Sequence, residues 1–361
     1  MQNSKNIIKL TNDLIRFEST KANFKEKKEI VQFVEKQFKG HDVYIKRFEK
    51  NGTHSIVVTL KKERNPKIFL SGHLDVVDAK KSQFQPKIKN NRIYGRGSGD
   101  MKAGCAAMIE AIKFFSSAKS KPSLGLMLTT DEEIGGANGV GYILDHEKYH
   151  PDVVIVPDGG IDLRTIVTDQ KGVIHLKLIS HGISAHGARP FLGKNAIEKL
   201  IDFYSKIRRN FSNMDGEWKN TINLGKFIGG ESVNKVPDYA EMHLDIRYIR
   251  ANDRDRILNY IEKISGDIVI EVAAQGEVFV QNKKNSYVKA FKKIIENKLD
   301  EKVHFYKVEG ASDARYFSKK GIATIITKIK CENIHANDEW VDVKEIQIFY
   351  NCLIEFIESC G

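Results

Sequence analysis

The chain has 361 residues, with 58 Lys and Arg against 47 Asp and Glu and a formal charge of +11. Hydrophobic residues at 41% and charged residues at 29% describe a globular chain with room for about two domains. They exclude a disordered polymer, a collagen and a disulfide-stapled miniprotein, and no apolar run approaches the roughly 20 residues that cross a bilayer.

The N-terminal stretch MQNSKNIIKLTNDLIRFEST predicts an amphipathic helix and lacks a secretory signal core, so a cytoplasmic protein without a membrane partner is expected. Residues 25–38 carry apolar side chains at helical spacing. Three short apolar runs, 68–70, 124–128 and 153–156, do not alternate, as strands buried on both faces of a parallel sheet do. The Ala- and Met-rich segment 101–117 predicts a helix between the first two.

From about residue 173 the texture changes to an alternating strand (173–178), a helix (194–210), strands at 221–228 and 239–248, a helix (253–265) and a strand (267–273). That β-α-β-β-α-β order is ferredoxin-like. A helix (287–299), an apolar strand (322–326) and a final helix (344–358) return to the first texture. The expected fold is therefore α/β: a mixed sheet flanked by helices, formed by residues 1–172 and 281–361, with an inserted α+β domain at 173–280.

The chemistry gathers behind the apolar runs. His73 and Asp75 follow the first, Glu132 and Glu133 the second, Asp158 the third and His335 the last. Asp100 closes a Gly-rich turn before the 101–117 helix. Ligands of open α/β sheets bind at the C-terminal ends of parallel strands, so His73, Asp100, Glu133, Asp158 and His335 converge on one edge. Imidazole with carboxylate suits Zn²⁺, with Co²⁺ or Mn²⁺ as neighbours, and five ligands suit two ions with Asp100 as bridge. Asp75 is placed to orient His73, and Glu132 to act as general base and then general acid.

Taken singly, each residue has an ordinary reading. His73 could be a turn histidine, Glu132-Glu133 a solvated pair and Asp100 a helix N-cap. It is their co-occurrence at successive strand ends that points to a metal centre. The segment Gly95-Arg96-Gly97-Ser98-Gly99 lacks the Lys-Ser/Thr of a P-loop and the spacing of a dinucleotide fingerprint, which excludes a nucleotide site. The lysines are scattered without a basic block, so the positive charge reads as solvated surface and no nucleic-acid partner is expected. Cys105, Cys331, Cys352 and Cys360 form no CxxC pair, in keeping with a reduced compartment.

The segments SGHLDVV (71–77), YGRGSGDMKAG (94–104), TTDEEIGG (129–136), GISAHGARP (182–190), GGESVNKVP (229–237), DIRYI (245–249), GASDARYF (310–317) and NIHANDEWV (333–341) resemble the co-catalytic dizinc family. That family includes aminoacylases, succinyl-diaminopimelate desuccinylase, acetylornithine deacetylase, glutamate carboxypeptidase and related dipeptidases. The resemblance covers nearly the whole chain and implies that His73 and Asp158 hold one ion, Glu133 and His335 the other, and that Asp100 bridges them. It further implies a cis peptide at Asp100–Met101, a lid and dimerisation role for the inserted domain, and His186 as an oxyanion donor. Asn234 and Arg247 then match substrate-carboxylate contacts, and Gly310, Ser312 and Arg315 a substrate-binding loop.

The expected reaction is hydrolysis of an N-acyl amino acid or short peptide. A metal-bound hydroxide activated by Glu132 would attack the amide carbonyl. One departure stands out: Asp158-Gly159-Gly160 occupies the place where the desuccinylase and acetylornithine deacetylase branches carry Glu-Pro-Thr. The rival readings are an exopeptidase or dipeptidase, and a non-catalytic binding protein on the same fold.

Overall fold

The structure is a computed structural model and describes residues 2–214 and 216–361. The chain forms two compact units. One comprises the residues up to Asp169 with Val280–Val308 and Ser312–Gly361; the other comprises Gln170–Phe279 with Glu309–Ala311. Gly310 thus belongs to the second unit, whereas Ser312 and Arg315 belong to the first.

In the first unit the main sheet runs in the order Tyr44–Lys50, Thr53–Thr59, Leu124–Thr129, Ile68–His73, Val153–Val156, Ala323–Ile326, Thr165–Gln170, Phe279–Val280, and His304–Val308 also pairs with Thr165–Gln170. The Ile68–His73 strand pairs in parallel with both Leu124–Thr129 and Val153–Val156, and Val153–Val156 pairs in parallel with Ala323–Ile326. Nearly every residue of these strands is buried, which is why each carries an apolar run without polar alternation. The flanking pairings are antiparallel, so the sheet is mixed.

The Ala103–Ser116 helix is buried over most of its length, packed against the Gln2–Ile15 and Val343–Cys360 helices. Its one glycine, Gly104, lies against Pro157, where an added Cβ would come within 2.9 Å of the ring. Helix starts follow their caps: the side chains of Asn23 and Asn285 accept backbone N–H groups of the first turn, and Asp342 does the same for the final helix.

A small antiparallel sheet joins Cys331–Glu332, Trp340–Asp342, Arg92–Tyr94 and Lys87–Lys89. It ties the segment bearing His335 to the loop bearing Asp100, although about 235 residues separate them in sequence.

In the second unit the sheet order is Thr221–Gly229, Tyr239–Tyr248, Gly172–His181, Val269–Gly276, all antiparallel. With the Ala196–Arg208 and Ala251–Ile264 helices this is the ferredoxin-like order. Its core gathers Ile174, Leu176 and Leu178 with Leu200, Phe203 and Ile207, alternate positions on the strand meeting the apolar stripe of the helix.

Candidate metal centre

The parallel strands of the first unit end side by side, and the residues at and just beyond their ends share one edge of the sheet. His73 is the last residue of its strand. Glu132 and Glu133 open a one-turn helix after Leu124–Thr129, and Asp158 lies two residues beyond Val153–Val156. Asp100 comes from the Gly-rich loop, where Asp100–Met101 is a cis peptide. His335 sits in the turn between Cys331–Glu332 and Trp340–Asp342 with a left-handed φ of 64°, a turn conformation in which Asn, Asp and His are enriched.

These side chains converge. His73 Nε2 lies 3.2 Å from Asp100 Oδ1, while His335 Nε2 lies 3.5 Å from Asp100 Oδ2 and 3.2 Å from Glu133 Oε1. Two ligand sets emerge among the described residues, His73 with Glu132 and Asp158, and Asp100 with Glu133 and His335, the ligand atoms of each lying within 4.8 Å of one another. Ligand atoms held about 2.0–2.2 Å from one tetrahedral ion stand just over 3 Å apart. The two oxygens of Asp100 face different histidines, as a bridging carboxylate requires. The donor set therefore fits a pair of divalent ions.

The electrostatics agree. Burial pushes Asp158 up to about 6, reinforced by the neighbouring Asp100 charge. Glu132 is raised well above the ordinary carboxylate range by burial and then by Asp158. On the basic side, burial opposes protonation of His73, but the Asp100 hydrogen bond and the surrounding carboxylates outweigh it and hold its pKa well above the usual histidine value. Hydrogen bonds to Asp100 and Glu133 lift His335 to about 10. A pocket that draws protons onto two imidazoles at once is one that attracts cations.

Asp75 does more than the sequence suggested. His73 Nδ1 lies 3.0 Å from the Asp75 carbonyl oxygen and 3.6 Å from its carboxylate. That carboxylate accepts the backbone N–H groups of Glu132 at 3.2 Å and Glu133 at 3.0 Å. One buried side chain thus ties the His73 strand end to the two glutamates.

Sequence reasoning missed two supports. Glu339, fully buried, accepts the N–H groups of Gly97, Gly99 and Asp100 at 3.1, 2.9 and 3.2 Å and pairs with the buried Arg96 guanidinium. Lys328, two residues past the Ala323–Ile326 strand, is buried. Burial disfavours its charge, but Asp100 and other acidic neighbours hold its pKa above the usual lysine value. Its place behind a buried parallel strand was the available signal.

The remaining candidates divide between the two units. In the first, Arg315 is buried, its guanidinium donating to the carbonyls of Ser312 at 3.2 Å and Gly135 at 2.6 Å. Ser312 is buried beside it. In the second unit, His186 is exposed and its Nδ1 accepts the Ala188 N–H at 3.1 Å, which leaves Nε2 as the protonated, donating nitrogen. Asn234 is exposed and its side-chain oxygen accepts the Ser232 hydroxyl. The Arg247 guanidinium is engaged by Asp245, with Nε–Oδ1 at 2.8 Å and a second contact at 3.1 Å.

Comparison with known proteins supplies the family. The description of peptidase family M20/M25/M40 matches residues 69–359. The chain belongs to this family. It is a metal-dependent hydrolase of amide bonds, and metal binding in a dinuclear arrangement goes with membership. Succinyl-diaminopimelate desuccinylase of Nautilia profundicola is 28% identical over 347 residues, covering 91% of this chain and 93% of that protein. Among solved structures, a tripeptidase of Staphylococcus aureus superposes with a TM-score of 0.84 at 21% identity, covering 99% of this chain and 98% of its own. An M20 metallo-carboxypeptidase of Sulfolobus solfataricus gives 0.79 at 18% identity, with 98% of each chain covered. At these identities the structural likenesses establish the shared M20 fold. No helix among the described residues is long and apolar enough to cross a membrane.

Proposed function

We propose that this M20 hydrolase removes the acyl group from an N-acyl amino acid, a desuccinylase- or deacetylase-like reaction. The observation that carries the reading is the Glu132 carboxylate, set in ligand range of His73 and Asp158 with its backbone N–H held by Asp75. Two ions held by His73, Asp158, Asp100, Glu133 and His335, proposed as Zn²⁺, would polarise the scissile carbonyl and lower the pKa of water. Glu132 takes the proton of the attacking water and passes it to the leaving amine, a role suited to a carboxyl whose pKa the site raises. His186 is proposed as an oxyanion donor through Nε2, and Asn234, Arg247, Gly310 and Ser312 as substrate contacts. A His186→Ala variant is expected to lower kcat about a hundredfold.

The match to a desuccinylase over 91% of the chain supports the deacylase reading. A specific feature favours a peptide substrate instead. Ile134, Ile161 and Ile334, each within three residues of a proposed ligand, are 46%, 55% and 40% exposed, which supports an apolar peptide side chain as the second reading. Free-amine release from N-succinyl, N-acetyl and N-carbamoyl amino acids and from di- and tripeptides decides between them. Hydrolysis confined to peptides would overturn the deacylase reading, and hydrolysis of none would overturn both.

A homodimer through the second unit is proposed from the Thr221–Gly229 strand, which lies at a sheet edge with Phe227 and Ile228 exposed. Light scattering on the purified chain tests it. The four cysteines are free thiols, which supports a cytoplasmic location.

A further inference from the structure

The geometry points to Arg315 and Tyr316 as positioning residues that clamp the turn carrying Glu132 and Glu133. This turn is short and has little packing of its own. It closes through the Gly135 N–H to the Glu132 carbonyl at 2.8 Å and the Gly136 N–H to the Asp131 carbonyl at 2.7 Å, and its side chains are only partly buried. At its start, the Asp75 carboxylate holds both glutamate N–H groups. At its end, the Gly135 carbonyl accepts two strong donors, Arg315 Nη2 at 2.6 Å and the Tyr316 hydroxyl at 2.6 Å.

Both donors come from the first turn of the Ala314–Lys319 helix, remote in sequence from the glutamates. The Arg315 guanidinium is fixed in turn by the Ser312 carbonyl and lies 4.9 Å from the Tyr316 ring centre. The join between helix and turn is also tight sterically. Gly136 has a left-handed φ of 66°, and a Cβ there would lie 1.8 Å from Asp313 Oδ1.

The arrangement gives Arg315 a different task from binding substrate. Its Nη1 and Nη2 are directed at two backbone carbonyls and the residue is 7% exposed. Two charge-assisted or short hydrogen bonds on one carbonyl restrict the pivot about which Glu132 and Glu133 turn. A displacement of about 1 Å in a reacting group lowers rate on the order of a hundredfold. The clamp therefore acts on kcat and on the ion held with Glu133, not on substrate affinity.

The inference rests on the hydrolase reading for its turnover readout and on metal binding alone for its second. Full-length Tyr316→Phe, Arg315→Met and Arg315→Lys would be compared with wild type in steady-state hydrolysis and in Co²⁺ titration followed by visible absorption. Tyr316→Phe and Arg315→Met are each expected to lower kcat about tenfold, the scale of one lost hydrogen bond, with KM within about twofold. Co²⁺ affinity at one of the two sites is expected to weaken as well. Arg315→Lys keeps a charged donor and recovers part of both losses.

A rise in KM at unchanged kcat would overturn the inference in favour of substrate contact. A lower melting temperature with kcat, KM and Co²⁺ affinity unchanged would overturn it in favour of a merely structural helix contact. If the wild type turns over no amide, the hydrolase reading fails, and the Co²⁺ comparison still decides the clamp. Tyr316→Phe removes a single oxygen, so a folding failure of the arginine variants leaves the test intact.

Discussion

Replacing Glu339 tests the link between buried charge and the position of Asp100. Its Oε2 takes the Arg96 guanidinium and the Gly97 N–H, and its Oε1 takes the Gly99 and Asp100 N–H groups at 2.9 and 3.2 Å. Every partner is a donor, so the site calls for an acceptor-only group. Glutamine cannot satisfy it. With its amide nitrogen toward Gly99 and Asp100 it opposes two N–H groups, and in the flipped orientation it opposes Arg96. A charge-assisted hydrogen bond contributes about 1.5–3 kcal/mol, and that is the expected cost of Glu339→Gln. Glu339→Ala leaves Arg96 unpaired in the interior, for which breaking a buried ion pair gives about 3–5 kcal/mol.

Urea unfolding of the chelator-treated protein measures the stability term. Co²⁺ titration measures the positional term, because the loop that loosens carries Asp100, the carboxylate proposed to bridge the two ions. An Arg96→Met, Glu339→Gln double variant should recover part of the loss by removing the uncompensated charge. The reasoning is refuted if Glu339→Gln unfolds within about 0.5 kcal/mol of wild type and binds Co²⁺ with unchanged affinity.

Three further predictions concern the centre and its surroundings. Glu132→Ala should lower kcat by about a thousandfold or more while two ions per chain remain by elemental analysis; loss of an ion with the side chain would make Glu132 a ligand rather than the base. Chelation should abolish turnover and lower the unfolding midpoint, with about 2.7 kcal/mol restored per site at a free ion concentration a hundredfold above Kd; an unchanged midpoint would count against resident ions. The third concerns pH. Burial lowers the pKa of His54 and of His41 below the ordinary histidine value, so the unfolded chain binds more protons than the folded one between the two values. Their contribution is complete above the unfolded value of about 6.5 and is lost as pH falls through the folded values. A His41→Gln, His54→Gln variant should lose less urea stability than wild type between neutral and mildly acidic pH. Parallel losses would reject the assignment.

Much of the architecture is legible in the sequence because its periodicities are strong. The Val153–Val156 and Tyr239–Tyr248 strands have the expected limits, and the Ala103–Ser116 helix lies within the predicted 101–117. The Tyr44–Lys50 and Thr53–Thr59 hairpin escapes a reading by periodicity because its outer strand, YIKRFEK, is an exposed charged edge without clean alternation. A signal is present: Asn51-Gly52 between paired residues Lys50 and Thr53, with φ of 50° and 76°, is the favoured two-residue hairpin turn. Asn90-Asn91, both left-handed, does the same between Lys89 and Arg92. The small sheet built on that second turn has strands of two and three residues, too short for any periodicity.

The sequence alone identified the candidate ligands, because metal-binding side chains at the ends of buried strands are a local pattern set by residue type and position. It could not show which groups hold those side chains in place. Asp75 reaching the backbone of Glu132 and Glu133, Glu339 closing on Gly97 to Asp100, and Arg315 with Tyr316 on Gly135 are contacts between segments about 60 to 240 residues apart. Each is a hydrogen bond to backbone, and backbone groups are the same at every residue. Only the folded chain, by bringing one carbonyl or N–H within hydrogen-bonding reach of one side chain, decides which of them is used.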